Sequence, residues 1–197
     1  MSLAALLSLA LAAAPPPEPL VEATQWVPDL VVDLRYATAD NFMKLKVYPD
    51  SARCLLLKSA ATRLQAAAKV LKAKGYRLKV WDCYRPLSVQ FELWKVFPKP
   101  GYVADPNKKG SLHNRGAAVD LTLAMPDAGS VEMPTAYDNF TRAAHHKYDG
   151  GTPAATLHRT VLLEAMEGAG FKRNPMEWWH YELPGALGLP VRDDPFQ

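Results

Sequence analysis

Three stretches, far apart in the chain, carry side chains capable of hydrolytic chemistry. In residues 111–123, SLHNRGAAVDLTL, His113 stands in a turn that Gly116 lets close tightly, and Asp120 follows inside a strand-like run. Alternation puts Ala118, Asp120 and Thr122 on one face of that strand and Val119 and Leu121 on the other. An aspartate in mid-strand is expensive unless it is paired or bound to a metal. In residues 177–183, EWWHYEL, an ideal strand would point Glu177 and His180 to opposite faces. Both can reach one site only if the backbone bends between them, and Asn174-Pro175 just upstream gives such a bend a cause. In VWDCYRP, the turn at Pro86 leaves Arg85 at the mouth of whatever the sheet lines. A zinc hydrolase needs three protein ligands, an open fourth position, a carboxylate to take the proton of water and a donor for the developing oxyanion. His113, Asp120 and His180 could supply the ligands, Glu177 the base and Arg85 the donor. Each also has a plainer use: a core histidine, an aspartate capping a turn, an arginine in a surface ion pair.

Those residues must be held by ordinary elements. Residues 58–74 read as an amphipathic helix, with Ala60, Leu64, Ala67 or Ala68 and Leu71 at helical spacing and Gly75 at its stop. Residues 77–81 alternate as a half-buried strand. Residues 87–97 form a second predicted helix with Leu87, Phe91 and Trp94 on one face, and a Pro/Gly/Lys loop over 98–110 leads to the His113 turn. Thr152 and Pro153 make an N-cap and N1 pair for a third helix that carries Leu157, Val161 and Ala165 on one face and ends near Gly170. Helices and short strands without a regular βαβ period predict an α+β fold, a single domain with a small, mainly antiparallel central sheet flanked by helices.

Composition narrows the class. The chain has 197 residues, 49% hydrophobic and 22% charged, as a soluble globular protein does. Its 23 Lys+Arg against 20 Asp+Glu leave a net charge of +3, too small and scattered to imply nucleic acid as a partner. Residues 3–14, LAALLSLALAAA, are apolar and uncharged, and a run of prolines at 15–17 follows. That stretch is too short to span a bilayer, which takes about 20 residues, but it fits the core of a signal peptide. Ala10-Leu11-Ala12 or Ala12-Ala13-Ala14 offers a small-x-small cleavage pattern, although no Lys or Arg precedes the core. The expected organisation is a signal peptide over 1–14, a Pro-rich segment over 15–26 and a catalytic domain over 27–197, exported to the periplasm or beyond, with no stable membrane insertion after cleavage. The alternative is a cytoplasmic chain. Cys54 and Cys83, 29 residues apart, fit neither a zinc knuckle nor a CxxC motif. In an oxidising compartment they can close a disulfide, and otherwise they are two buried thiols.

The SLHNRGAAVD and EWWH stretches, with YRP upstream, RYATADNF at 35–42 and YDNFTRAAHH at 137–146, occur in the order of a known family. Across residues 27–184 the chain resembles the zinc D-alanyl-D-alanine dipeptidases of the vancomycin-resistance type, a branch of the D-Ala-D-Ala metallopeptidases, in which the last stretch reads FDxF…HH. The resemblance implies one zinc ion per chain on His113, Asp120 and His180. It also implies Glu177 as general base and later proton donor, and Arg85 as the group that stabilises the tetrahedral intermediate. Asp138 and Tyr36 would hold the free amino end of the substrate, and Ser111 would also contact it. His145 and His146 are expected to stay out of the metal site, since adjacent histidines project in different directions and the ligand count is complete without them. Trp178 and Trp179 are expected to pack the site wall and the core. The implied activity is hydrolysis of the small dipeptide D-Ala-D-Ala in cell-wall peptide metabolism. The alternatives are a D,D- or L,D-carboxypeptidase trimming peptidoglycan stem peptides, or a non-catalytic peptidoglycan-binding module with a structural zinc. Glu177 and Arg85 speak against the module, which would need neither.

Overall fold

The computed structural model describes residues 18–196. The expected signal segment at 1–14 and the prolines at 15–17 lie outside them. The chain begins with β1 (Leu20–Glu22) and β2 (Val31–Val32), then β3 (Leu55–Leu57), which leads directly into α1 (Lys58–Ala73). After β4 (Arg77–Asp82) come α2 (Leu87–Val96), β5 (Ala118–Ala124), α3 (Pro153–Gly168), β6 (Lys172–Asn174) and β7 (Glu177–Glu182). The main sheet has five strands in the order β2-β4-β5-β7-β6. Its pairs are antiparallel except β2 with β4, and β1 and β3 form a separate antiparallel pair. This is the expected α+β architecture, with one short parallel strand added at the edge.

The central strand β5 is buried at every position, so both sheet faces are covered. On one face, α1 offers Ala60, Leu64, Ala67 and Leu71 to a core shared with Leu78, Val80, Val119, Leu121 and the α3 residues Leu162 and Met166. The helix stops where sequence periodicity put its end, at Gly75, whose φ of +83° suits a residue without a side chain. Thr152 caps α3 by accepting from the Ala155 amide at 3.0 Å. The opposite sheet face carries Asp120 and faces the loops that build the site.

Two helices turn differently from their hydrophobic pattern. In α2 the buried residues are Gln90 and Leu93, whereas Phe91 of the expected apolar face is exposed. The Gln90 carboxamide is drawn inward because it accepts from Arg85 and donates to the Ala104 carbonyl, both at 2.8 Å. Leu93 joins a second small core with Tyr36, Met43, Tyr48 and Val103. In α3 the buried face is Ala155, Arg159, Leu162, Ala165 and Met166, and Leu157 is 59% exposed. A buried Arg159, whose guanidinium donates to the His145 carbonyl at 3.3 Å, shifts the inward stripe by about one position.

Two departures from regular pairing do most to shape the site. The β4–β5 register slips between Val80 and Asp82, so Asp82 rather than Trp81 lies opposite Asp120. The β6–β7 register slips as well: Arg173 pairs with Tyr181, while the next residue, Asn174, pairs with Glu177. That is the bend the spacing of Glu177 and His180 required.

Cys54, just before β3, and Cys83, just after β4, are joined in a disulfide. For a closed loop of about 30 residues, chain entropy alone gives about 3–4 kcal/mol. A Cys54→Ala/Cys83→Ala variant is expected to lose roughly that much in urea unfolding, and the native parent should yield no thiol to a maleimide probe under non-reducing conditions. Two titratable thiols in the native parent would contradict the bridge.

Candidate active site

Asp120 is the anchor of the site. It sits in the middle of β5, directly across from His180 on β7, so both side chains project from the same sheet face. His113 reaches them from a 3₁₀ turn, His113–Arg115, that ends at Gly116 with φ +66°. A Cβ there would meet the Leu20 side chain at 2.3 Å and the Leu57 amide at 3.2 Å, so only glycine lets this turn lie against β1 and β3.

Three donor atoms converge. His113 Nε2 is 3.2 Å from Asp120 Oδ1 and 3.1 Å from His180 Nδ1, and His180 Nδ1 is 2.9 Å from Asp120 Oδ1. A tetrahedral ion with bonds of about 2.0–2.2 Å holds its ligand atoms about 3.3–3.6 Å apart. An outward relaxation of a few tenths of an ångström therefore seats a metal in the triangle, and two imidazoles with one carboxylate suit zinc. The far nitrogens are arranged accordingly. His113 Nδ1 lies 2.7 Å from the Cys83 carbonyl, which fixes the proton there and leaves the Nε2 lone pair facing the triangle. His180 Nε2 faces the Glu182 carboxylate at 3.6 Å.

Electrostatics agree with the geometry. Burial pushes the Asp120 carboxyl up, but the two imidazoles outweigh it and hold the group well below the usual carboxylate range. Burial lowers His180, yet Asp120 and Glu182 more than reverse that, leaving it at about 10. Such an arrangement of opposed charges is one that a cation would replace protons in.

Around the triangle lies a cavity of about 210 Å³, below the roughly 300–1,000 Å³ of pockets for drug-sized ligands. Tyr36, Arg85, Ser111, His113, Asp120, Asp138, Glu177 and His180 all line it, so every site residue named from the sequence reaches one place. Glu177 is buried with its Oε2 accepting from Asn174 Nδ2 at 2.7 Å, and burial raises its carboxyl to about 8. Asp138, also in the lining, has a left-handed φ of +57° and accepts from the Phe42 amide at 3.1 Å, and burial raises it to about 7. The Tyr36 hydroxyl is 3.4 Å from Asp138 Oδ1. Trp179 lines the cavity and Trp178 enters the core, with its indole donating to Thr135 Oγ1 at 2.9 Å. His145 instead meets the Tyr102 hydroxyl at 3.0 Å, and burial pushes His146 down to about 4. Among the described residues, the metal-ligating group is His113, Asp120 and His180.

Sequence reading missed the partners that hold these groups. Asp82, fully buried, takes the Arg85 Nε at 3.0 Å and the Tyr48 hydroxyl at 2.7 Å. Burial would lower the Arg85 guanidinium, but Asp82 beside it holds the group well above its ordinary value, so it stays charged. Asn114 Nδ2 donates to the Arg85 carbonyl at 2.9 Å, and its Oδ1 accepts from the Ser111 amide at 2.7 Å, tying those two stretches together. Tyr137 donates to Asp120 Oδ2 at 2.9 Å. The one available signal was spacing: Asp82 and Arg85 stand on either side of a strand end, and Asn114 adjoins the first ligand.

A buried His-Asp-His triangle inside a small cavity, with a carboxylate and a guanidinium at its edge, defines a metallopeptidase-type centre. Residues 18–197 match the family model described as D-ala-D-ala dipeptidase, of the M15 peptidases, and the chain belongs to that family. It is 38% identical over 177 residues to a D-alanyl-D-alanine dipeptidase of Escherichia coli strain K12, covering 90% of this chain and 91% of that protein. Dipeptidases of the same name from Enterococcus faecalis strain V583 and Enterococcus faecium are 34% and 32% identical, with 84% and 87% of their lengths covered.

Purified protein loaded with zinc is expected to carry about one ion per chain by elemental analysis, and alanine at His113, Asp120 or His180 should bring that close to zero. A full equivalent retained after any of these substitutions would place the metal elsewhere.

Proposed function

We propose that this chain is a zinc dipeptidase that hydrolyses D-Ala-D-Ala to two D-alanines. The observation that carries the reading is that one small cavity is lined by a metal-ligating triangle, by Glu177 and by the Asp138–Tyr36 pair. The relatives' activity points the same way.

Zinc on His113 Nε2, Asp120 Oδ1 and His180 Nδ1 would polarise the scissile carbonyl and acidify water. Glu177 takes the proton of the attacking water and later delivers it to the leaving amine. Asn174 holds its Oε2 and leaves Oε1 for that work. Arg85 spends three of its five N–H groups on Asp82 and Gln90, which fixes its plane, and the remaining donors meet the charge that develops on the carbonyl oxygen. Asp138, with Tyr36, pairs with the substrate ammonium. A peptide whose amine is acylated would leave that carboxylate without its cation, which separates a dipeptide from a peptidoglycan stem. Ser111, beside the first ligand, contacts the substrate backbone.

Export belongs to the same reading: the apolar leader at 1–14, a mature chain from near Pro15, a catalytic domain over 27–197, and a disulfide suited to an oxidising compartment. A periplasmic enzyme would recover dipeptide released from the wall.

The deciding assay offers zinc-loaded protein D-Ala-D-Ala, its N-acetyl derivative and a stem pentapeptide. The free dipeptide should be turned over fastest, and Glu177→Ala should lower kcat by about 10²–10⁴-fold. Faster cleavage of the acylated or longer substrates would refute the dipeptidase, and full activity without Glu177 would refute the mechanism. A pH profile follows from Asp138. Its carboxyl must lose a proton to meet the ammonium, and Glu177 must lose one to act as base, so kcat/KM should rise through about 7 to about 8. It should then fall above about 8, where the substrate's α-amino group loses its charge. In Asp138→Asn the component near 7 should vanish, leaving only the Glu177 limb near 8, and kcat/KM should drop by about 10–100-fold. An unchanged limb would assign it to another group.

A further inference from the structure

The two oxygens of Asp120 have different partners. Oδ1 faces His113 Nε2 at 3.2 Å and His180 Nδ1 at 2.9 Å, while Oδ2 accepts from the Tyr137 hydroxyl at 2.9 Å. The Tyr137 ring is wedged among aromatics, with centroids 5.0 Å from Trp81, 5.6 Å from Trp179 and 6.2 Å from Tyr36, so its hydroxyl has little freedom to leave. A phenol has one proton to donate, and here Asp120 receives it.

A carboxylate ligand can bind a metal through one oxygen or through both. If Oδ2 of Asp120 were free to rotate inward, it would take the position that hydrolysis requires open to water and substrate. We infer that Tyr137 is a positioning residue for the metal: its hydroxyl holds Asp120 as a one-oxygen ligand through Oδ1 and keeps the fourth coordination position free. The inference rests on the reading of Asp120 as a zinc ligand and adds to it a residue that touches neither metal nor substrate.

The test uses Tyr137→Phe in the full chain, which keeps the ring. Its zinc dissociation constant, measured by competition with a chromophoric chelator, is expected to rise about 10–100-fold over the parent. With cobalt(II) in place of zinc, the visible bands should weaken from the intensity of a four-coordinate ion toward that of a five-coordinate one. The melting temperature of the metal-free variant should stay near that of the parent, because the packing is intact. A dissociation constant within about threefold of the parent, with an unchanged cobalt spectrum, would overturn the role of Tyr137. Failure of the parent itself to bind zinc would instead overturn the metal reading beneath it.

Discussion

A charged carboxylate in the middle of a fully buried strand must be compensated, and Asp120 sets that demand for the rest of the molecule. It lies on β5, which has neighbours on both edges and cover on both faces, and it is only 4% exposed, so water alone offsets little of its charge. Two imidazoles and one phenol converge on its oxygens instead. Each comes from a different part of the chain: the 3₁₀ turn before β5, the strand beside it, and the loop that follows it. An unpaired charge at this depth would be worth several kcal/mol of instability. The fold is therefore arranged so that a single buried ion draws three remote segments together, and the triangle thus formed is the one able to hold zinc.

The second demand is on backbone regularity. A flat, evenly paired sheet would direct Trp81, not Asp82, to the position opposite Asp120, and would turn Glu177 away from His180. The irregularities in β4 and β7 reverse both outcomes. Asp82 then anchors Arg85 at the cavity edge, and Glu177 enters the same cavity as the histidine three residues along. The disulfide contributes at this point. It ties Cys83, whose carbonyl orients His113, to the start of β3, so a covalent link in the core stands one hydrogen bond from the metal triangle.

Much of this was legible in the sequence, and what was missed has a common cause. His113, Asp120 and His180 announce themselves because histidine and aspartate in strand-like apolar runs have few inexpensive uses. The bend near Glu177 followed from period-two alternation, since two residues of a single site must share a face. The strands and helices were readable from periodicity, but the helix faces of α2 and α3 were not. There a buried Gln90 and a buried Arg159 are paid for by hydrogen bonds to distant backbone and side-chain groups, which no local pattern encodes. Asp82, Asn114 and Tyr137 escaped for the same reason: each acts by holding another site residue, and the partner is far away in sequence or hidden by a register slip.

The most direct test of the account is X-ray absorption at the zinc edge on the loaded protein at neutral pH. The triangle predicts about four nitrogen or oxygen neighbours at about 2.0–2.1 Å, two of them imidazole. A sulfur neighbour, or a third imidazole drawn from His145 or His146, would contradict it.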